Sequence, residues 1–215
     1  MENRRLGRGD TSMVEANLKV VELSSLDQTE IFNFAKSAYS ITNDPAHVNM
    51  WNENWETDSA TFPYLIYKSP RFANGNGIFH ALLIDDKIEA VCGINISSFD
   101  SYVALGGVRS WVNPKYRGRF LIGGHIMPLQ LKWAEDKNLK TVCLTFNSYN
   151  EPMLKIVKRT GVGRKKNRRP GMMFYNGLHE VSFPCNIQST KQYVIYHKID
   201  ESYTPDWQKI KWVDK

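Results

Sequence analysis

The stretch from Gly107 to Gly124 constrains the fold more than any other part of the chain, because three kinds of local structure meet there. An apolar, strand-like run ends at Pro114, and a basic turn containing Gly118 follows. A helical pattern then begins near Ile122. Backbone N–H groups at a helix start carry partial positive charge and bind anions. The stretch therefore predicts an anion site at a strand–turn–helix junction.

Three strands in quick succession lead into this turn. We predict them over residues 78–84, 88–97 and 102–112, joined by short turns. Short turns connect antiparallel neighbours, so the three strands form a meander. Gly106-Gly107 falls inside the third strand, where paired glycines indicate a β-bulge or the close approach of another backbone.

The remaining segments surround the meander with helices and further strands. In chain order we predict a strand (17–23), a helix capped by Asp27 (27–40), a second helical segment that starts at Asn43-Asp44-Pro45, and the meander. A helix (122–138), a strand (139–146), a helix capped by Asn150 (150–161) and late strands (172–175, 181–183, 192–199) follow. The strand at 139–146 is reached through a helix, so we expect it to lie parallel to the last meander strand. The fold class is α/β (α+β), with a mixed, mostly antiparallel central sheet flanked by helices.

Size and composition are those of one ordinary globular domain. We expect a flexible arm over residues 1–15 and a single domain over 16–215. No apolar run approaches the length of a membrane span, and the N-terminal residues lack the apolar core of a signal peptide, so we expect a cytoplasmic protein. The three cysteines are widely spaced and the histidines form no ligand pair, so neither a disulfide framework nor a metal is expected. The net charge of +6 suits an anionic ligand.

The end of the meander reads Val112-Asn113-Pro114-Lys115-Tyr116-Arg117-Gly118-Arg119. With this motif in this order of elements, the chain resembles the GCN5-related N-acetyltransferase (GNAT) family over about residues 17–200, most strongly over 107–161. The resemblance implies an acyl-CoA N-acyltransferase fold and transfer of an acetyl group from acetyl-CoA, the cosubstrate, to a primary amine by direct attack. It implies no metal.

In that family the turn reads Arg/Gln-x-x-Gly-x-Gly/Ala, and its backbone holds the pyrophosphate of acetyl-CoA. Counted from Arg117, the two glycine positions fall on Phe120 and Ile122. Counted from Arg119, they fall on Ile122 and Gly124. We prefer the second register because it keeps the last glycine.

The resemblance also assigns the other cofactor contacts. It implies a strand edge that pairs with the pantetheine amides, and a splayed gap beside the next strand that admits the thioester. The implied cofactor-binding residues are Trp111 and Val112 at the strand edge, Arg117 and Arg119 with their side chains, Phe120, Leu121, Ile122, Gly123 and Gly124 with their backbone, Asn147 at the gap, and Asn150 at the next helix.

The reaction needs a base for the attacking amine and an acid for the departing thiolate. In many family members the acid is a tyrosine on the helix after Asn150, but the matching position here is Val157, which cannot donate a proton. Tyr149 is the best replacement, since a phenol with a pKa of about 10 is protonated at neutral pH. The candidate bases are His80, Asp100 and Glu89. His125 could touch the cofactor, although the helix dipole disfavours its cation.

Three functions remain open at this point. The first is N-acetylation of an amine on a small molecule, a protein or an RNA, by a monomer or homodimer without a membrane partner. The second is a GNAT-like domain that has lost catalysis and binds CoA or a macromolecular partner, suggested by Val157 and the altered glycines. The third is nucleic-acid binding through the basic cluster Arg164–Arg169, ranked last because aromatic and basic residues are not interleaved.

Overall fold

A seven-stranded sheet forms the centre of the fold in the computed structural model, which describes residues 17–40, 66, 72–147, 150–160, 177–184 and 189–206. The strands are β1 (Leu18–Glu22), β2 (Gly77–Ile84), β3 (Lys87–Ile96), β4 (Val103–Val112), β5 (Thr141–Asn147), β6 (Gly177–Pro184) and β7 (Ser189–Lys198). They lie in the order β1-β2-β3-β4-β5-β7-β6. All adjacent pairs are antiparallel except β4–β5, which is parallel. The predicted mixed, mostly antiparallel sheet is confirmed.

Three α-helices accompany the sheet in the described part of the chain. They are α1 (Gln28–Ser40), α2 (Met127–Asp136) and α3 (Glu151–Thr160). A π-helical segment, Ile122–Ile126, runs directly into α2, and we call it the π segment. The predicted cap of α1 is confirmed, because the Asp27 carboxylate accepts the N–H groups of Thr29 and Glu30 at 2.8 and 3.3 Å. None of the described helices is both long and apolar enough to cross a membrane.

The late strands are longer than their sequence pattern predicted. The strand expected at 181–183 extends over Gly177–Pro184, and that expected at 192–199 begins earlier, at Ser189. Pairing between β6 and β7 continues along their whole length, so backbone hydrogen bonds extend both strands beyond their apolar cores. Several predictions fall outside the described residues: the arm at 1–15, the second helical segment from Asn43, Tyr149, the cluster Arg164–Arg169 and the strand at 172–175.

The two faces of the sheet are covered by different helices. On one face, Phe79 and Ala81 of β2 pack with Phe34 and Ala35 of α1. On the other face, Leu82 of β2 packs with Ile126 at the end of the π segment. Successive side chains of β2 therefore contact the helices on opposite faces of the sheet. Burial of Ile126, which is fully inaccessible, stabilises the fold by about 1.5–3 kcal/mol and fixes the start of α2 on the sheet.

The chain after β7 is tied back to the start of β4. The Tyr203 hydroxyl donates to the carboxylate of Asp100, whose other oxygen accepts the N–H of Tyr102 at 2.9 Å. The rings of Tyr102 and Tyr203 meet edge to face at 5.9 Å. This contact closes the β3–β4 turn against the C-terminal part of the domain.

Replacing Tyr203 by phenylalanine tests this contact, because the ring is kept and only the hydroxyl is lost. We expect the free energy of unfolding to fall by about 1–2 kcal/mol near neutral pH, since a hydrogen bond to a charged acceptor disappears. Burial and the bond to Asp100 raise the pKa of Tyr203. The unfolded tyrosine ionises from about pH 10, so the advantage of Tyr203 over phenylalanine is present below that pH and shrinks above it.

Urea unfolding near neutral pH and above about pH 10 measures both effects. Tyr102→Phe is the matched control, because Tyr102 is 54% exposed. Equal stability of Tyr203→Phe and the unmodified protein near neutral pH would contradict the prediction.

Candidate active site

Strands β4 and β5 pair only over a short distance and then separate. Their parallel pairing runs from Val103–Thr141 to Gly106–Leu144 and stops there. Both strands continue, β4 as far as Val112 and β5 as far as Asn147. We call the resulting opening, between residues 107–112 and 145–147, the β4–β5 gap. The splayed gap implied by the resemblance is therefore present.

A bulge in β4 turns the strand away from β5. The β3–β4 register shifts on both sides of Gly93, so that β4 uses extra residues. Gly107 has φ +75° and Arg109 has φ +49°, both in the left-handed region. Glycine adopts this region freely, whereas it is uncommon for arginine. The bulge predicted at Gly106-Gly107 is confirmed, and it extends to Arg109.

A buried side chain of α2 bonds to the strand opposite the bulge. Cys92 has no β4 partner in the register, and its carbonyl accepts the Gln130 Nε2–H at 3.0 Å. The Ser110 hydroxyl donates to the carbonyl of Gly107 at 2.9 Å and lies 3.1 Å from the Cys92 sulfur. Burial raises the pKa of Cys92, so the thiol stays protonated.

Sequence analysis missed Gln130 because a glutamine in a helix is ordinarily exposed. Its spacing from apolar residues in the sequence does, however, indicate burial. Ile126, Gln130 and Ala134 recur every four residues, and all three are fully buried. Residues four apart share one helix face, so Gln130 belongs to the face that packs on the sheet.

The turn after β4 delivers the chain to the start of a helix. Gly118 and Phe120 have φ of +82° and +62°, and the helix begins immediately afterwards. The Gly124 N–H donates to the carbonyl of Phe120 at 2.8 Å. The N–H groups of residues 121–123 precede the first intrahelical bond and find no backbone acceptor within the described residues. They point out of the helix start, where an anion is favoured.

These backbone angles favour the register of the glycine motif that is counted from Arg117. Positive φ, the conformation that favours glycine, occurs at Phe120, as expected when the motif is counted from Arg117. Ile122 is common to both registers, whereas Gly124, found only in the register counted from Arg119, lies inside the π segment. Gly124 therefore belongs to the helix and not to the turn, and its N–H is already bonded.

Gly123 makes room for the ring of Phe120. A Cβ at position 123 would lie 2.4 Å from a ring atom, which no packed structure tolerates without a shift. The ring is 38% exposed and rests on the outer surface of the first helical turn. The glycine at 123 thus accommodates an aromatic side chain beside the helix start.

Basic side chains surround the turn. The Arg117 Nε–H donates to the carbonyl of Val112 at 3.2 Å, which ties the end of β4 to the turn. The Lys115 ammonium and the Arg119 guanidinium lie over the ring of Tyr116, at 4.7 and 5.4 Å from its centre. All three cationic residues are exposed, so the positive field reaches solvent beside the helix start.

Comparison with known proteins identifies the architecture. No protein-family model matches the sequence, and no curated protein matches it. An acetyltransferase from Streptococcus agalactiae 2603 is 11% identical, with 82% of this chain and 96% of that chain covered and a TM-score of 0.54. The chain has the GNAT fold. A GNAT-family acetyltransferase from Staphylococcus aureus MU50 is 15% identical, with 85% of this chain and 99% of that chain covered and a TM-score of 0.54. The PaiA N-acetyltransferase of Thermoplasma acidophilum, solved in complex with coenzyme A, is 13% identical, with 84% of this chain and 98% of that chain covered and a TM-score of 0.52.

Within this GNAT fold, Glu89 holds the turn in place. Its carboxylate is buried and accepts the Asn113 Nδ2–H at 2.6 Å and the Lys115 ammonium at 2.8 Å, while its carbonyl accepts the Asn113 N–H at 2.9 Å. The bond to Glu89 raises the pKa of Lys115. A carboxylate with these partners anchors the turn, and it does not lie free beside the gap as a base.

The other candidate bases also lie away from the gap. Asp100 precedes β4, at the opposite end of the strand from residues 107–112, and is bonded to Tyr203. His80 lies on β2, two strands from β4, or roughly 10 Å at ordinary strand spacing. Burial lowers its pKa, partly opposed by Glu22, and its Nδ1 finds no partner among the described residues. His125 is exposed on the π segment.

The remaining predicted site residues frame the gap or the core. Asn150 caps α3, because its Oδ1 accepts the Met153 N–H at 3.1 Å. The Trp111 ring packs edge to face on Phe34, 5.2 Å between centres, beneath α1. Asn147 ends β5 at the gap, and the side chains of Asn147 and Val157 lie outside the described part. The described residues contain no cluster of metal-ligating side chains.

Replacing Glu89 by alanine tests its role as the anchor of the turn. We expect the free energy of unfolding to fall by about 1–3 kcal/mol, because the half-buried Asn113 amide and the Lys115 ammonium lose a charged acceptor. Asp136→Ala, which breaks the exposed Lys132–Asp136 pair, is the matched control and should cost less than about 0.5 kcal/mol. Chemical denaturation measures both. A loss for Glu89→Ala no larger than that of the control would show that the contacts of Glu89 are dispensable.

Proposed function

We propose that the protein is an N-acetyltransferase that moves the acetyl group of acetyl-CoA to a primary amine. The observation that carries the proposal is the end of β4–β5 pairing at Gly106–Leu144, which opens a gap next to an anion-binding helix start. The sequence from Pro114 to Arg119 supports it, since this motif leads into the pyrophosphate turn of GNAT proteins. One protein of the same fold was solved with coenzyme A.

The gap and the helix start suit two parts of the cofactor. The N–H groups of residues 121–123, which have no backbone acceptor among the described residues, would receive the pyrophosphate, with the exposed Arg117 and Arg119 adding charge. Beyond Gly106 the edge of β4 is not paired with β5, and we propose that the pantetheine amides would pair with the backbone of this edge. The thioester would then enter the gap beside the bulge, near the end of β5 at Asn147.

In the reaction the amine nitrogen forms a bond to the thioester carbonyl carbon, and the carbon–sulfur bond breaks. The amine loses a proton and the CoA thiolate gains one. Tyr149 is proposed as the acid, because it follows the end of β5 by only two positions. The principal contribution of the site is to hold amine and thioester together, which converts a bimolecular step into an intramolecular one.

A second candidate function is binding of CoA without turnover. Val157 agrees with it, since the usual acid is missing at that position. Turnover, rather than binding, separates this function from the first.

Acetyl-CoA binding is the primary test. At a concentration about 100-fold above its dissociation constant, a ligand of the folded state adds about 2.7 kcal/mol to the free energy of unfolding. For a domain of this size that corresponds to a rise of several degrees in the melting temperature. No shift at about millimolar acetyl-CoA would contradict both functions. With a shift present, release of free thiol in the presence of a panel of primary amines supports the transferase, and its absence supports binding alone.

Replacing Phe120 by glycine is expected to strengthen acetyl-CoA binding several-fold. The change removes the ring beside the N–H groups and leaves a residue that adopts the left-handed conformation of this position freely. Isothermal titration with acetyl-CoA measures the effect. Phe32→Ala, at a 46% exposed aromatic residue on α1, is the control and should leave affinity unchanged. Weaker binding by Phe120→Gly would mean that the ring contributes contacts to the ligand.

A further inference from the structure

One helix connects the two halves of the proposed site. Residues 121–123 form its start, and Gln130, farther along, reaches the sheet opposite the bulge. Gln130 lies seven positions after Gly123, and at about 1.5 Å per position this is roughly 10 Å along the axis. A rigid element therefore spans the distance from the helix start to the β4–β5 gap.

Gln130 is held tightly at the bulge. Its side chain is fully buried, and a buried amide is costly unless its polar atoms are bonded. Its Nε2–H donates to the Cys92 carbonyl at 3.0 Å, and its Oε1 lies 3.8 Å from the Cys92 sulfur. A Cβ placed on Gly106 would lie 3.6 Å from the same Oε1. Gly106 is the last β4 residue paired with β5, so Gln130 sits where the two strands separate.

Ser110 completes the arrangement from the β4 side. Its hydroxyl donates to the Gly107 carbonyl at 2.9 Å across the bulge, and it contacts the Cys92 sulfur at 3.1 Å. Gln130, Cys92, Ser110 and Gly107 thus form one continuous polar chain from helix to bulge. Such a network holds its members in a single arrangement when every member is bonded.

We propose that Gln130 is a positioning residue for acetyl transfer, which sets the distance between the helix start that binds the pyrophosphate and the gap that takes the thioester. The inference rests on the proposed function. Gln130 touches neither group and acts through the Cys92 carbonyl and the bulge of β4. Without its amide, the Cys92 carbonyl loses its partner and the bulge loses its link to the helix.

Gln130→Met tests this inference, because methionine has a similar shape and no amide hydrogen. We expect acetyl-CoA to bind about tenfold more weakly and kcat to fall about tenfold, since small errors of position carry large costs in rate. ADP, which offers a pyrophosphate but cannot reach the gap, should bind within about twofold of its original affinity. A general loss of structure would weaken the binding of both ligands. Weaker binding of acetyl-CoA alone, the ligand that spans the helix start and the gap, therefore indicates a loss of positioning.

Two further variants keep the test decisive. Val194→Ala opens a cavity at a fully buried β7 residue, lowers stability without touching the bulge, and should leave both affinities unchanged. Ser110→Ala removes the hydrogen bond to the Gly107 carbonyl. Because Ser110 is exposed, the variant still folds. We expect its affinity for acetyl-CoA, but not for ADP, to fall by about threefold.

The possible failures differ from one another. Two results would overturn the positioning role alone. One is that Gln130→Met binds ADP and acetyl-CoA equally more weakly. The other is that both Gln130→Met and Ser110→Ala keep the original acetyl-CoA affinity and kcat. Failure of the unmodified protein to bind acetyl-CoA overturns the proposed function, and this inference with it.

Discussion

The separation of β4 from β5 after Gly106 is the constraint on which the rest of the site depends. A parallel pair ordinarily continues as long as both strands do, so something must turn β4 away. Gly107 does so through its left-handed backbone, and its position is crowded as well, since a Cβ there would lie 3.0 Å from Leu144. Both requirements select glycine at this position. The gap is therefore a consequence of one residue type at one place in the strand.

Two carboxylates fix the ends of β4 while its middle is irregular. Asp100 holds the start through Tyr203, and Glu89 holds the exit through Asn113 and Lys115. A bulged strand has weak register of its own, because part of its hydrogen-bond ladder is lost. Anchoring both ends restores that register. These anchoring roles explain why Asp100 and Glu89 are bonded or buried, although the sequence had suggested both as candidate catalytic bases.

Local pattern was sufficient for the architecture of the domain. The short turns predicted the meander, the intervening helix predicted that β5 runs parallel to β4, and the residues Asp27 and Asn150 marked helix starts correctly. These inferences need only neighbours in sequence. The roles of Asp100 and Gln130 depend on partners 103 and 38 positions away, which no local pattern contains. The glycine register depends on backbone conformation in a related way, because residue identity suggested Gly124 whereas the left-handed backbone occurs at Phe120.

The π segment fixes the length of the chain between the turn and the sheet. Each residue of an α-helix advances the facing direction by about 100°, so the number of residues between Leu121 and Gln130 decides which way the glutamine points. The bonds of the π segment close over five residues instead of four, so this turn can lose one residue by becoming α-helical. A single deletion between Met127 and Gln130 cannot be absorbed in this way. It would keep the helix start, yet turn Gln130 by about 100° away from Ile126 and off the sheet.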